Sequence, residues 1–93
     1  MIIGLCSFEI WIPYSRSLKE KRAVIRKIIE KIKPKYNVSI SEIDFQNLWQ
    51  RAKIGIVSIN AEKSVIEKVF NSILKDLENS LDGHILNFET KFF

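Results

Sequence analysis

The sequence is poor in the residues from which many enzyme and metal sites are built. It holds one cysteine, one histidine, three glycines and two prolines in 93 residues. A single cysteine excludes an internal disulfide framework, and a single histidine excludes a His-rich metal site. No apolar run approaches the ~18–20 residues of a membrane span, and Met1–Leu5 lacks the basic region of a signal peptide. We therefore expect a cytoplasmic protein with no membrane partner.

The residues that are present have the composition of one globular domain. Hydrophobic residues make up 46% and aromatic residues 11% of the chain. Its length fits a single domain over residues 1–93, because domains commonly run about 50–200 residues. This composition excludes a disordered chain, a collagen-like chain and a multidomain enzyme.

Positive charge is concentrated in one segment, although the net charge of the whole chain is only +4. From Ser15 to Tyr36 there are nine basic and two acidic residues, whereas the remaining 71 residues hold six basic and nine acidic ones. A field of this kind steers anionic partners, of which nucleic acid is the commonest. The alternative is that these side chains form only a solvated, solubilising helix face.

The spacing of apolar residues predicts six elements in the order β-α-β-β-α-β. The predicted strands are Ile2–Ile12, Tyr36–Ile43, Trp49–Ile59 and His84–Phe92. The predicted helices run from Ser17 to Lys33 and from Ala61 to Leu77, with Val65 in the apolar stripe of the second and Asn60 as its cap. Ser17-Leu18-Lys19-Glu20 has the pattern of a capping box, and Asp82-Gly83 is a turn signal.

Two right-handed crossovers place both predicted helices on one face of a four-stranded antiparallel sheet. This is the ferredoxin-like α+β architecture, and it leaves the other sheet face uncovered. An exposed apolar patch usually marks a partner, so we predict a homodimer. The residues predicted to form this interface are Ile3, Leu5, Val57, Ile59 and Ile85.

Three segments resemble a known family: Ile12-Pro13 with Ser17-Leu18-Lys19-Glu20-Lys21-Arg22, then Asn37-Val38-Ser39-Ile40-Ser41-Glu42, then Leu48-Trp49-Gln50-Arg51-Ala52. Over essentially its whole length the chain resembles the YlxP-like family, small bacterial domains of unknown function. The resemblance implies a ferredoxin-like fold, no established activity, and genes often placed near those for translation initiation and ribosome maturation. In this family, larger aliphatic residues are usual at the positions of Cys6 and Thr90. We expect this departure to affect the packing of the core and not the function.

No residue pattern indicates catalysis. Cys6 lies in mid-strand on the predicted core face, where a thiol is inert, and His84 follows a turn at the surface. Glu9 and Glu89 are predicted to be a solvated pair near Lys53 or Lys91. There is no glycine-rich phosphate loop and no paired-cysteine metal motif. We therefore expect no catalytic residue, no metal and no cofactor.

The start of the first helix is a candidate anion site. Arg16, Lys19, Lys21 and Arg22 crowd the loop and first turn, and Arg26 follows one turn later. Free backbone N–H groups and the positive end of the helix dipole favour an anion such as phosphate there. In the alternative interpretation, Arg22 simply pairs with Glu42 or Asp44.

A second candidate site is Trp49 with Arg51. The indole ring can stack on a base, and the guanidinium group can hold a phosphate. The alternative is that Trp49 packs over the sheet edge and Arg51 makes a structural ion pair. The sheet lacks the aromatic rows of an RRM, because only Trp11 lies on the open face of the first strand.

Three functional hypotheses follow. The first is a non-enzymatic module that binds RNA or a ribosome-associated particle through its basic helix face. The second is a structural or regulatory homodimerisation module without nucleic-acid binding. The third, a small-molecule-binding domain of the ACT type, shares the fold but needs a glycine-rich ligand loop that this chain lacks.

Overall fold

A computed structural model describes residues 1–81 and 83–93 and confirms the predicted order of elements. They are β1 (Ile2–Trp11), α1 (Leu18–Ile32), β2 (Ser39–Asp44), β3 (Arg51–Asn60), α2 (Lys63–Ser80) and β4 (His84–Phe92). The strands form one antiparallel sheet in the order β2-β3-β1-β4. With both helices on one face, this is the ferredoxin-like fold. Asp82 of the predicted turn lies outside the described residues.

Burial along β1 alternates residue by residue, because successive side chains of a strand point to opposite faces. The helices cover the face formed by Gly4, Cys6, Phe8 and Ile10, which are all buried. At Gly4 an added β-carbon would overlap the Ile66 side chain of α2. Close packing of α2 on the centre of the sheet therefore requires a glycine at this point.

The start of α1 is capped by its own sequence. Ser17 Oγ accepts a hydrogen bond from the Glu20 N–H at 3.1 Å, as the capping-box pattern predicts. The Glu20 carboxylate, however, accepts from the N–H of Arg16 rather than from that of Ser17. The reciprocal bond is therefore made one residue earlier than predicted.

The second helix begins later than predicted, at Lys63, with Glu62 as its N-cap. Asn60 Oδ1 accepts a hydrogen bond from the Glu62 N–H at 2.9 Å, so Asn60 organises the turn before the helix instead of capping it. Val65, predicted to be in the apolar stripe, is exposed. The buried stripe consists of Ile66, Phe70, Ile73 and Leu77.

The register between β1 and β4 shifts between Ser7 and Glu9. Asn87, in the β4 segment opposite this shift, has a positive φ of 53°. An extra residue in one strand reverses which side chains face the core beyond that point. The alternation of side chains along β4 is therefore interrupted, and it is reversed between Asn87 and His84.

This irregularity changes the composition of the open sheet face. Ile85 lies directly opposite Ile10 and packs against the hydrophobic core, so its predicted place in a dimer interface is wrong. Leu86 lies opposite Glu9 and takes a position on the open face. The other four predicted interface residues, Ile3, Leu5, Val57 and Ile59, form paired positions of β1 and β3 on that face.

Candidate nucleic-acid interface

Two loops meet at the end of the sheet where β1 finishes and β3 begins. The Ile12 N–H donates to the carbonyl oxygen of Gln50 at 2.8 Å. The side-chain amide of Gln50 donates to the carbonyl oxygens of Pro13 at 3.0 Å and Ser15 at 3.3 Å. The segment before α1 and the segment before β3 are therefore joined, which brings together the two predicted site segments.

Lys21 of α1 extends beneath these loops and is fully buried, with 0% of its surface exposed. Its Nζ donates to the carbonyl oxygens of Phe45 at 2.8 Å, Gln46 at 3.3 Å and Arg51 at 3.2 Å. A lysine ammonium has three donors, so these carbonyls use all of them. Lys21 thus holds both ends of the loop between β2 and β3.

The charge of Lys21 is compensated by Glu42 of β2. Glu42 Oε2 lies 2.9 Å from Lys21 Nζ, yet it accepts no hydrogen bond from any described residue. The ammonium and the carboxylate form an ion pair. Burying a charge is costly unless it is paired, and this pair meets that requirement.

The prediction that Lys21 contacts an external anion is therefore wrong. The alternative, in which Arg22 pairs with Glu42, is also wrong, because Glu42 pairs with Lys21. A signal for this placement exists in the sequence. Lys21 precedes the buried Ile25 by four residues and Ile28 by seven, so it continues the apolar stripe of α1.

The other predicted cations on this element are exposed. Lys19, Arg22 and Arg26 follow the spacing i, i+3, i+7, which places them along one flank of α1. Arg16 is exposed in the loop that leads into the helix. We call these four residues the cationic row. The backbone at the helix start is less open than predicted, because two of its N–H groups, those of Arg16 and Glu20, donate within the chain.

Two exposed indole rings lie at the same end of the sheet. Trp49 is 56% and Trp11 41% exposed. Both line a shallow cavity of about 600 Å³ whose other walls are Asn47, Leu48, Gln50 and Arg51. We call this cavity the tryptophan groove. Because Trp49 is open to solvent, the alternative in which it packs into the sheet edge is not supported.

Arg51 makes the structural pair that the alternative interpretation anticipated. Its Nη1 lies 3.3 Å from Glu9 Oε1, and the Asn87 side-chain amide also donates to the Glu9 carboxylate. Glu9 is therefore held by Arg51 and Asn87, not by the predicted Lys53 or Lys91. The Arg51 side chain nevertheless remains 47% exposed at the wall of the groove.

The single cysteine of the chain is buried, and its single histidine packs on a tryptophan ring. Burial raises the pKa of Cys6 to about 12, so its sulfur is a thiol and not a nucleophilic thiolate at neutral pH. The His84 ring packs on the Trp11 ring with a centroid separation of 5.3 Å. Within residues 1–81 and 83–93, no three His, Cys, Asp or Glu side chains are grouped as metal ligands, and no helix is long and apolar enough to cross a membrane.

Comparison with known proteins places the chain among uncharacterised relatives. Residues 3–90 match the model of a family described as "Protein of unknown function (DUF503)". The chain is 38% identical over 78 residues to "Uncharacterized protein YlxP" of Bacillus subtilis (strain 168), covering 84% of this chain and 85% of that protein.

A structural comparison found SnoaB, a cofactor-independent oxygenase from Streptomyces nogalater, at 7% identity and a TM-score of 0.44, covering 99% of this chain and 90% of that one. A likeness this low carries no argument about activity.

Proposed function

Because the chain belongs to the DUF503 family, whose function is unknown, we propose its role from the surface it presents. We propose a non-enzymatic cytoplasmic module that binds RNA, free or in a ribosome-associated particle, through the cationic row. The observation that carries this proposal is the separation of charge. Four exposed cations follow one another from Arg16 to Arg26, in a chain whose other charged residues balance to zero.

Within the described part of the chain, Glu20 and Glu42 form no ion pair with the side chains of the row. Glu20, the acidic residue in the first turn of α1, is turned back to the N–H of Arg16. Glu42, on the neighbouring strand, faces the buried Lys21. The exposed guanidinium and ammonium groups are therefore available to phosphates, which they bind largely without regard to base sequence.

The test reverses charge on the row while keeping the fold. Lys19→Glu combined with Arg22→Glu changes four charge units at exposed positions, where substitutions usually alter stability by less than ~0.5 kcal/mol. Lys68→Glu with Lys75→Glu makes the same change on exposed positions of α2 and is the matched control. Binding of an RNA hairpin would be measured at several salt concentrations.

The row variant should lose affinity, and its plot of log affinity against log salt should flatten by about one unit per lost phosphate contact. The control should bind like the wild type. Equal affinity and equal salt dependence in the wild type and the folded row variant would overturn the proposal.

A second candidate function is homodimerisation through the open sheet face. One observation favours it: Ile59 is 57% and Phe93 69% exposed, and both lie beside Ile3, which pairs with Ile59 and exchanges backbone hydrogen bonds with Phe93. Apolar side chains left open in this way are typical of an interface. In this alternative the cationic row is only a solvated helix face.

Val57→Lys tests the dimer. It introduces a charge at an exposed position opposite Leu5 and should convert a dimer to a monomer in sedimentation experiments. Lys53→Val, which removes a charge from the same strand face, is the complementary control. A wild-type protein that is monomeric at high concentration would contradict this candidate.

A further inference from the structure

We propose, resting on the RNA-binding function above, that the tryptophan groove holds unpaired bases. The ligand would then be single-stranded RNA at this end of the protein, stacked on Trp11 and Trp49 while its phosphates follow the cationic row. The proposal depends on the juxtaposition of two exposed indole rings in one groove with a wall formed by Arg51.

Both rings are attached to well-supported backbone. Trp11 ends the central strand and pairs with Arg51 on one side and His84 on the other. Trp49 lies in the loop whose ends are held by the buried ammonium of Lys21, and the next residue, Gln50, bonds to the segment before α1. The backbone that carries the rings is thus held in place before any ligand arrives, which reduces the ordering cost of binding.

Stacking on aromatic faces requires bases that are not already covered by their neighbours in a duplex. Single strands and loops meet this requirement, and an A-form duplex does not. Each base has a π-face, so rings of this kind accept any sequence. The exposed side chain of Asn47 adds donors and an acceptor that can meet a base edge in the same groove.

The charge around the groove favours a nucleic acid over a protein segment. The loop joined to it carries Arg16, and its wall is the half-exposed Arg51. The neighbouring acidic groups, Glu9 and Glu42, are engaged with Arg51 and Lys21. An apolar protein segment could use the rings but would bring no anion to Arg16 or to the half-exposed side of Arg51.

The chain reports on this site directly, because its only two tryptophans both line the groove. Intrinsic fluorescence would be followed while three probes of equal length are added: a 12-nucleotide oligouridylate, its duplex with oligoadenylate, and an abasic ribose-phosphate oligomer. The variants are Trp49→Leu, which removes the ring, and Trp49→Phe, which keeps a stacking surface. Phe93→Leu, an exposed aromatic change at the other end of the sheet, is the matched control.

We expect oligouridylate to quench the fluorescence and to bind more tightly than the abasic oligomer. Trp49→Leu should lose roughly tenfold in affinity for oligouridylate, and Trp49→Phe should recover part of it. Both Trp49 variants should bind the duplex like the wild type, and Phe93→Leu should bind all probes normally.

The two proposals fail in different ways. If oligouridylate and the abasic oligomer bind equally and Trp49→Leu changes nothing, base stacking is excluded while phosphate binding stands. If none of the three probes binds, RNA binding itself is excluded, and the groove is better assigned to a protein partner.

Discussion

The open face of the sheet has two ends, and they differ in chemistry although the same strands build both. At one end, which we call the loop end, Trp11 is flanked by Arg51 and His84. At the other, the terminal end, Ile3 is flanked by Ile59 and Phe93. The loop end presents rings and cations, and the terminal end presents aliphatic and phenyl groups.

The difference lies in how each end deals with its polar groups. At the loop end, Glu9, Glu42 and Lys21 are engaged in internal contacts. The groups that stay exposed there are indole rings and arginine side chains. At the terminal end, the apolar side chains of Ile59 and Phe93 are exposed. The open sheet face is therefore aromatic and cationic at one end and apolar at the other.

The largest loss of stability is expected at the loop end, from removal of the Lys21 ammonium that lies beneath it. Lys21→Met leaves three carbonyl groups and the partly buried Glu42 carboxylate without their partner, which should cost about 3 kcal/mol. For a domain of this size the melting temperature should fall by about 12 °C or more. Calorimetry would measure this shift, and hydrogen exchange would show faster opening of residues 45–50 than of the terminal end.

Arg22→Met is the control, since it makes the same kind of replacement on the exposed neighbour and should change stability by less than ~0.5 kcal/mol. A Lys21→Met protein that melts within a degree or two of the wild type would show that the buried ammonium does not hold the loop end.

At the terminal end, a methyl group added at Gly4 should disturb the packing of α2 beneath the sheet. Gly4→Ala places a methyl group against the Ile66 side chain of α2 and close to the Phe70 ring. Overpacking of this kind typically costs about 1–3 kcal/mol. Chemical denaturation should show the loss, with hydrogen exchange accelerated in α2 more than in residues 45–50. Unchanged stability would mean that α2 shifts to accept the methyl group.

A smaller effect is expected at the loop end from Ser17→Ala. The hydroxyl that accepts the Glu20 N–H is lost, which should cost about 1 kcal/mol. The melting temperature should fall by roughly 4–8 °C. Ser64→Ala, an exposed residue in the first turn of α2, serves as the control because Glu62 is the N-cap there. Equal melting of the two variants would show that the hydroxyl contributes nothing.

The smallest change in stability is expected at Asp76 of α2, on the helical side of the sheet. Asp76 Oδ2 accepts hydrogen bonds from Lys35 at 2.8 Å and from the Tyr36 hydroxyl at 2.6 Å, and these bonds hold the pKa of Asp76 below its usual value of 3.8. The stabilisation is present above pH 3.8 and is lost as the pH falls through the lower folded value.

Asp76→Asn should therefore lower the melting temperature slightly at pH 7, and the difference from the wild type should shrink below pH 3.8. Glu67→Gln, an exposed charge removal on the same helix, is the control and should change the melting temperature at pH 7 little. A difference that stays constant across this range would mean that the carboxylate charge is not involved.

The residue types of the candidate site can be predicted from the sequence, but their positions relative to one another in space cannot. The cluster of lysines and arginines before and within α1 is local and can be counted, and four of its five predicted members are exposed. Trp49 and Arg51 stand out for the same reason. The role of Trp11 as the second ring of the groove could not be predicted, because it depends on which residues β3 and β4 place beside it.

By itself the sequence determined the element order, the cap at Ser17 and the core face of β1, because each depends on spacing within one segment. The tertiary structure decided the burial of Lys21, whose partners come from carbonyl groups up to thirty residues away. It also decided that Ile85 faces the core, since one extra residue near Asn87 reverses the alternation of β4. Pairing register and long-range hydrogen bonds have no local periodicity, so only the folded chain specifies them.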